Sequence, residues 1–287
     1  MSSNTDNPKQ GLITLVEAQK TKAPAGKKAL WTKLVDHIKD PKYDLPPGQT
    51  MWTFGQDVVV GTSTEFINAY RLHNKGKQPK DFEHPAVFSH STQVPQSAGN
   101  GPIVHPTRKL SNGDKSVPAA GETGQLAQWS SYNPQGAHHY IDVWMRIDPT
   151  LGGDPNIVFH YQPLNDTGSN VQTVYQADFN TLDAPLLAAN GVGHLTFPGA
   201  ITTANGQLAV TNTTLQLSVV AHTGIAANPW KVLMDWQDQL CVIMAAGPCL
   251  SGDIMRNHLF FCTSPNGARA LYIADNKTTL LKNMPAQ

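Results

Sequence analysis

The eleven histidines are the residues of this chain best suited to acid–base chemistry or to metal binding. Their spacing contains no H-x-H pair and no H-E-x-x-H motif, which would place two imidazoles on one ion. His138 and His139 are adjacent, so on a strand their side chains would point to opposite faces. The histidine pattern therefore predicts no metal site.

Cysteines could supply thiolates to a zinc ion, and Cys249, His258 and Cys262 form one group with suitable residue types. Their spacing matches no common zinc pattern. The three cysteines are an odd number at unequal intervals, and the first residues contain no apolar signal segment. We therefore expect Cys241, Cys249 and Cys262 to be reduced thiols.

Two carboxylates, Asp142 and Asp148, are spaced for one face of a strand, on which six residues span ~20 Å. Acid–base pairs of glycoside hydrolases require carboxyl groups within about 10 Å of each other. We therefore predict that Asp142 and Arg146 form a cross-strand or interface pair and take no part in catalysis. The motifs G-x-S-x-G, G-x-x-x-x-G-K-[ST] and G-x-G-x-x-G do not occur. We expect no enzymatic activity, no cofactor and no metal.

Four aromatic residues near the middle of the chain are candidates for a binding platform: Trp129, Tyr132, Tyr140 and Trp144. Exposed rings of this kind stack on a sugar or on a nucleic-acid base. The same residues would also suit packing against a second layer of the protein. The sequence leaves both interpretations open.

These candidates depend on the segment 140–162, the clearest pair of strands in the sequence. Apolar residues alternate with polar and aromatic ones from 140 to 148, which predicts a strand with one apolar face. Prolines and glycines then turn the chain, and 157–161 is a second β-branched and aromatic run. The polar face of this hairpin carries our three candidates for subunit contacts, Asp142, Trp144 and Arg146.

The first third of the chain shows the clearest helix signals. Residues 1–26 are predicted to form an extended arm or a short helix, and 27–39 an amphipathic helix. Two short strands are predicted at 51–54 and 57–60. Thr62 and Glu65 form a capping-box pattern that starts a short helix.

Later segments mostly indicate strands joined by long loops. Within 84–137, rich in Pro, Gly, Ser, Asn and Gln, only 86–88, 103–104 and 126–132 are strand-like. The further predictions are a strand at 171–179, one or two helical turns at 181–189, and a strand at 195–201 interrupted by Pro198-Gly199. Residues 208–210 and 214–222 are predicted to form two strands or one bent strand, with Asn212 at the bend or bulge.

The last third contains one ambiguous segment and one hairpin. Residues 229–245 have roughly helical spacing after Asn228-Pro229, but 239–245 also suits a buried strand, which we favour. Residues 259–263 and 270–274 are predicted to form a hairpin around Asn266-Gly267. The whole pattern predicts a mainly β fold with few helices: an antiparallel β-sandwich or jelly roll at 84–287, preceded by an N-terminal extension at 1–83.

Charge is sparse, at 15% of residues, and the net charge is zero. An all-β surface rich in Ser, Thr, Asn and Gln would explain this, and so would a surface covered by copies of the protein. Residues 1–137 carry a net charge of +4 and residues 138–287 a net charge of −4. Four lysines near the N-terminus are candidates for RNA contacts: Lys20, Lys22, Lys27 and Lys28. No apolar run approaches the ~18 residues of a membrane span, so we expect no membrane partner.

Two stretches resemble a known family. DVWMRIDPTL (142–151) followed by NIVFHYQP (156–163) is similar to the strand, Pro-Thr loop and strand of tymovirus-like and picornavirus-like jelly-roll capsid proteins. TLQLSVVAHT (214–223) resembles their long late strand. The resemblance covers about 140–223, and the chain departs from the family in its long N-terminal part and its C-terminal hairpin.

The resemblance implies a viral coat protein that self-assembles into a shell around its genome. Its partners would be copies of itself and genomic RNA, and it would occupy the virion, and the host cytoplasm before assembly. Two alternatives fit a β-rich chain without catalytic motifs. One is a nucleic-acid-binding viral movement-type protein, and the other is a soluble glycan-binding β-sandwich module that uses Trp129, Tyr132 and Trp144.

Overall fold

The computed structural model describes residues 8–43, 48–94, 111–112, 128–130, 139–165, 171–203, 206–222, 226–247, 249–252, 254–263 and 271–283. The helices are α1 Pro8–Lys22, α2 Lys28–Lys39, α3 Ser63–Asn74, α4 Gln176–Asn190, α5 Ile254–His258 and α6 Lys277–Asn283. The strands are β1 Gln49–Thr53, β2 Val59–Thr62, β3 Ala86–Val94, β4 Ser111–Asn112, β5 Gln128–Ser130, β6 Val143–Arg146, β7 Ile157–Tyr161, β8 Gln172–Tyr175, β9 Thr196–Thr203, β10 Gly206–His222, β11 Trp230–Met244, β12 Phe260–Thr263 and β13 Leu271–Ala274.

The described strands form one large mixed sheet and one small sheet. The path β2-β1-β3-β9-β10-β6-β7-β4 runs through the large sheet, and β11 and β8 extend it from the other edge of β10. The small sheet has the order β12-β13-β5. The protein is therefore β-rich, but the large sheet is not wholly antiparallel, because β3 is parallel to β9 and β8 is parallel to β11.

Strand β10 organises the large sheet, because its 17 residues pair with three other strands. Along one edge, residues 206–213 pair with β9 and residues 216–219 pair with β6. Along the other edge, residues 211–222 pair with β11. The strands β9 and β6 thus diverge at Thr214, a position that we call the sheet fork.

The long β10–β11 hairpin corrects two predictions. β11 begins at Trp230, so the strand predicted for 239–245 is confirmed but the helical and irregular alternatives for its first part are wrong. Asn212 is not at a bend, since it pairs in register with Phe197 and Val242. The register shifts of this pair lie instead between Leu217 and Val220.

Helices pack on both faces of the β1-β3-β9 region. Residues of α1 and α2 form one core cluster with Met51 and Phe88. The neighbouring residues Trp52 and Val87 point the other way and pack with Phe66 of α3. Helix α1 has 15 residues, so this segment is a helix and not an extended arm.

Helix α3 begins where the sequence predicted, at a capping box. The Thr62 Oγ1 accepts a hydrogen bond from the Glu65 backbone N–H at 3.2 Å. The Thr62 backbone N–H donates to Glu65 Oε2 at 2.7 Å. These two bonds satisfy N–H groups that have no partner within the helix.

Helix α4 is longer than predicted and displaces part of a predicted strand. The strand at 171–179 ends at Tyr175, and α4 then runs for 15 residues. Phe179, Leu182 and Leu186 of this helix are buried in the main core. Gly191 ends the helix with φ of +73°, a conformation that favours glycine. Helices are therefore more prominent than the sequence indicated.

Strand β9 continues through Pro198-Gly199, where an interruption was predicted. Gly199 pairs with Ser89 of β3 on one edge and with Val210 of β10 on the other. A Cβ on Gly199 would lie 2.0 Å from Asn212 Nδ2, so the close approach of this side chain requires glycine.

Both predicted hairpins are present. β6 and β7 pair antiparallel, with Trp144 opposite His160. The alternating apolar residues Ile141, Val143, Met145 and Ile147 are all at most 3% exposed. β12 and β13 also pair antiparallel, while the Asn266-Gly267 turn lies outside the described residues.

The boundary between the predicted extension and the β-sandwich runs through the large sheet. β1 and β2 fall in the extension at 1–83, and β1 pairs with β3 from the following segment.

The cysteines are free thiols, buried at Cys241 and Cys249 and half-buried at Cys262. The strand predicted at 103–104 lies outside the described residues.

Candidate functional site

One surface of the large sheet collects polar and aromatic side chains that no described helix covers with an apolar layer. It lies on β7, β6, β10 and β11, opposite the apolar face that packs against α4. We call it the open face, and it consists of Asp142, Trp144, Arg146, His160, Gln162, Gln216, Ser218, His222, Trp230, Trp236 and Asp238.

Strand alternation and register create the open face. In β6, Val143 and Met145 are fully buried, whereas Trp144 and Arg146 are half-buried on the other side. Trp144 pairs with Ser218 and Arg146 with Gln216. The register therefore brings side chains from four strands onto one surface.

Trp230 is the centre of the aromatic end of the open face. Its ring centroid lies 4.9 Å from that of His160, 5.1 Å from that of His222 and 6.3 Å from that of Trp144. The rings of Trp144 and His222 meet it edge to face, an arrangement that aromatic quadrupoles favour. These contacts fix the orientation of both indoles.

Asp142 provides the carboxylate of the aromatic end. His160 Nε2 lies 3.0 Å from Asp142 Oδ1, and Gln162 Nε2 donates to the same oxygen at 2.8 Å. All three side chains come from the neighbouring strand ends of the β6–β7 hairpin. Asp142 thus contacts two residues from the other side of the hairpin, His160 and Gln162, which the sequence did not identify as its partners.

Arg146 and Trp236 form the middle of the open face. The Arg146 guanidinium carbon lies 4.1 Å from the Trp236 ring centroid, a cation–π contact. Arg146 Nε donates to Gln216 Oε1 at 2.9 Å, and Gln216 Nε2 donates to Asp238 Oδ1 at 3.2 Å. Burial lowers the pKa of Arg146, against the opposing charge of Asp148.

An ion-pair network connects the open face to α3. Arg71 of α3 donates from Nε to Asp148 Oδ2 at 2.7 Å and from Nη1 to Asp238 Oδ2 at 2.6 Å, and its Nη2 contacts both carboxylates. Asp148 is buried and also accepts from the Thr150 backbone N–H at 2.9 Å. Burial disfavours the charge of Arg71, but the hydrogen bonds to Asp238 and Asp148 outweigh it and raise the Arg71 pKa.

The open face combines residue types that are common in protein contacts with others that are rare there. It contains three tryptophans and an arginine, and none of the residues that define it is lysine or glutamate. Cores of protein–protein interfaces are enriched in Trp and Arg and depleted in Lys, Glu, Asp and Ser, so the tryptophans and the arginine fit this composition and Asp142, Asp238 and Ser218 depart from it. Within the described ranges, no group of three or more His, Cys, Asp or Glu could hold a metal ion.

The structure brings together all three subunit-contact candidates, Asp142, Trp144 and Arg146, on one face. Of the four rings of the predicted platform, Trp144 lies on the open face. Trp129 lies on β5 of the small sheet, Tyr132 lies outside the described residues, and Tyr140 makes an isolated bridge to Leu164.

Trp230, Trp236, His160 and His222 were missed as site residues. The sequence did not identify Trp230 and Trp236 as strand residues, because Asn228-Pro229 and the spacing that follows favour a helix. On β11, the pairing with β10 places Trp230 directly opposite His222.

The four lysine candidates lie around the connection between α1 and α2. Lys20 and Lys22 are in the last turn of α1, Lys27 ends a short 3-10 turn, and Lys28 begins α2. Lys22 and Lys28 are exposed, while Lys27 Nζ donates to the His84 carbonyl at 2.6 Å. Their helices pack on the sheet face opposite to the open face. Contact with RNA stays a prediction.

None of the described helices is long and apolar enough to cross a membrane. Comparisons with protein-family models, curated proteins and solved structures find no significant match to this chain.

Proposed function

We propose that this chain is a structural protein that assembles with copies of itself, in the manner of a viral coat protein. The observation that supports this most is the open face. Three half-buried tryptophans lie on one sheet surface whose opposite side packs on the main core. A contiguous aromatic surface of this kind is typical of a protein–protein contact.

The chemistry of the open face favours a protein partner. The two carboxylates of the open face are already hydrogen-bonded within the chain: Asp142 to His160 and Gln162, and Asp238 to Arg71. Paired charges lose less free energy on desolvation than isolated ones, so a second copy can cover them. Trp144, Trp230 and Trp236 would then supply most of the binding energy, as tryptophans do in the centres of interfaces.

The jelly-roll arrangement of capsid proteins is part of this proposal. The β-rich architecture and the long β10–β11 hairpin support it. The parallel pairs β3–β9 and β8–β11, and a large sheet that is not closed, depart from it. The proposal also keeps genomic RNA as a partner of Lys20, Lys22, Lys27 and Lys28, on the side of the sheet away from the open face.

Sedimentation velocity and electron microscopy across salt and pH test the proposal. We expect concentration-dependent oligomers or particles for the parent chain. A strictly monomeric protein under all conditions would contradict self-assembly.

Two variants locate the contact. Trp144→Arg and the milder Gln162→Lys place a new cation on the open face, and both should weaken association at least tenfold because the charge must be desolvated. Leu187→Arg is the matched control, since Leu187 is an exposed apolar residue of α4 on the other side of the sheet. Thermal melting of each variant separates lost association from lost folding.

A glycan-binding module is the second candidate, favoured by the aromatic end. Trp144 and Trp230 offer indole surfaces, and Gln162 offers an amide beside them. Titration of simple neutral sugars against tryptophan fluorescence tests it, with Trp144→Ala as the non-binding variant. Saturable binding by a monomeric chain would replace the coat-protein proposal, and salt-dependent binding of single-stranded nucleic acid without particles would favour the movement-type alternative.

A further inference from the structure

A buried histidine occupies the sheet fork. His194 lies in the connection between α4 and β9, and it is 7% exposed. Along one edge of β10, the pairing with β9 ends at Thr213 and the pairing with β6 begins at Gln216. The Thr214 carbonyl lies between these two pairings. His194 Nε2 lies 2.6 Å from that carbonyl oxygen.

The imidazole thus contacts a β10 carbonyl at the point where β9 and β6 separate, in the place that a neighbouring strand would otherwise occupy. A carbonyl can only accept, so His194 Nε2 must carry the hydrogen and donate it to Thr214. The neighbouring Thr213 Oγ1 donates to the Leu195 carbonyl at 2.9 Å, which holds the start of β9 at the same position. The His194 backbone N–H donates to Asp183 Oδ1 of α4 at 2.5 Å. His194 therefore joins α4, β9 and β10.

Three titratable groups face His194 from the packed elements. Asp183 on α4 and Asp148 after β6 favour its protonated form, and His84 before β3 disfavours it. Asp148 is already bound by Arg71. Burial lowers the pKa of His194 because it disfavours the charged imidazolium, and this effect outweighs both the two carboxylates and the hydrogen bond to the Thr214 carbonyl, which favour the charged form.

We propose that His194 makes the sheet fork an acid-sensitive joint, which is closed while the imidazole is neutral and opens when it is protonated. The unfolded or locally opened chain binds a proton near the ordinary histidine pKa of about 6.5, whereas the closed fork resists it. The stability of the fork is therefore fully present above that pH. It falls as the pH drops below about 6.5, by at most about tenfold in the closing equilibrium for each pH unit.

Opening at the fork would act on the open face directly. Gln216, Ser218 and His222 follow Thr214 on the same strand, and Arg146 pairs with Gln216 two residues beyond the fork. Acid would therefore loosen the surface that we assign to subunit contacts. This second step rests on the proposed function, whereas the opening of the fork does not.

His194→Gln tests the joint, because a glutamine amide can donate to the Thr214 carbonyl and does not titrate. Hydrogen exchange, corrected for intrinsic rates, is measured between pH 7.5 and 5.5. In the parent chain, we expect exchange at 195–197 and 213–217 to accelerate as the pH falls, and in His194→Gln this acceleration should be lost or reduced. His84 is present in both chains, so the difference isolates His194.

His73→Gln is the matched control, since His73 is a surface histidine of α3 that contacts Glu83. It should keep the acceleration of the parent. Exchange in the parent that is independent of pH at the fork would overturn the proposal, and so would equal acceleration in His194→Gln. If His194→Gln does not fold, the pH dependence of exchange in the parent chain alone decides whether the sheet fork is acid-sensitive.

Sedimentation at the two pH values then tests the second step. Assemblies of the parent should dissociate more at pH 5.5 than those of His194→Gln. If no assembly forms at pH 7.5, the proposed function fails while the exchange result still stands. If assemblies form and both chains dissociate equally, the joint does not control the contact.

Discussion

Two regions of the same sheet face show what a covering helix does. Near β1 and β3, the side chains of Trp52, Val87 and Phe197 are buried beneath α3. Near β6 and β11, Trp144 and Trp230 remain half-buried without such a layer. The strands alternate in the same way in both regions, so the difference lies in the helix and not in the strands.

Arg71 marks the border between the two regions. One side of α3 contributes Phe66, Ile67 and Tyr70 to the covered core, while Arg71 reaches out to Asp148 and Asp238. In the covered region, α3 of the same chain packs on the apolar side chains of the sheet. The open face ends in polar groups that bind one another, and we infer that a second copy completes it.

The largest expected effect is a difference in the free energy of unfolding between substitutions under α3 and substitutions on the open face. Phe66 is fully buried, so Phe66→Ala should lower the free energy of unfolding by about 3–5 kcal/mol, from lost burial and the cavity that remains. Trp144→Ala should cost about 1–2 kcal/mol in the isolated chain, because part of its ring already contacts water. Urea unfolding of dilute protein measures both. Equal losses would show that the open face is as much a core as the region under α3.

The second prediction concerns the border. Arg71→Met should lower the free energy of unfolding by about 2–4 kcal/mol, because it leaves the buried Asp148 carboxylate without its cation. Lys39→Met removes the exposed ion pair with Glu17 and should change stability little. A loss no greater than that of Lys39→Met would contradict a structural role for the network.

The smallest effect tests how firmly α3 is held. Thr62→Ala removes the acceptor for the Glu65 backbone N–H and should cost about 1 kcal/mol. Thr62→Ser retains the hydroxyl and should recover most of it. Hydrogen exchange in the first turn of α3 is the local readout. If exchange rises throughout the open face as well, the two regions are more tightly coupled than we infer.

Local patterns predicted the parts of the fold that depend on near neighbours. The capping box at Thr62 and Glu65 and the alternation of 140–148 were confirmed, because each is encoded within a few residues. Asp142, Trp144 and Arg146 were found on one face for the same reason.

Features that depend on distant partners could not be predicted. Trp230 belongs to a strand because β10 pairs with it, although its own surroundings favour a helix start. Arg71 meets partners 77 and 167 residues away along the chain. His194 acquires its role only because β9 and β6 separate at Thr214. Helix α4 begins inside a predicted strand because burial of Phe179 against the main core outweighs local preference.

Hydroxyl-radical footprinting of the tryptophans over a range of protein concentrations tests the central claim most directly. If a second copy covers the open face, oxidation of Trp144, Trp230 and Trp236 should fall together as concentration rises, while that of the buried Trp52 stays low throughout. The same series in Trp144→Arg should show no concentration dependence. Oxidation of the three open-face tryptophans that is unchanged from dilute to concentrated protein would contradict the account.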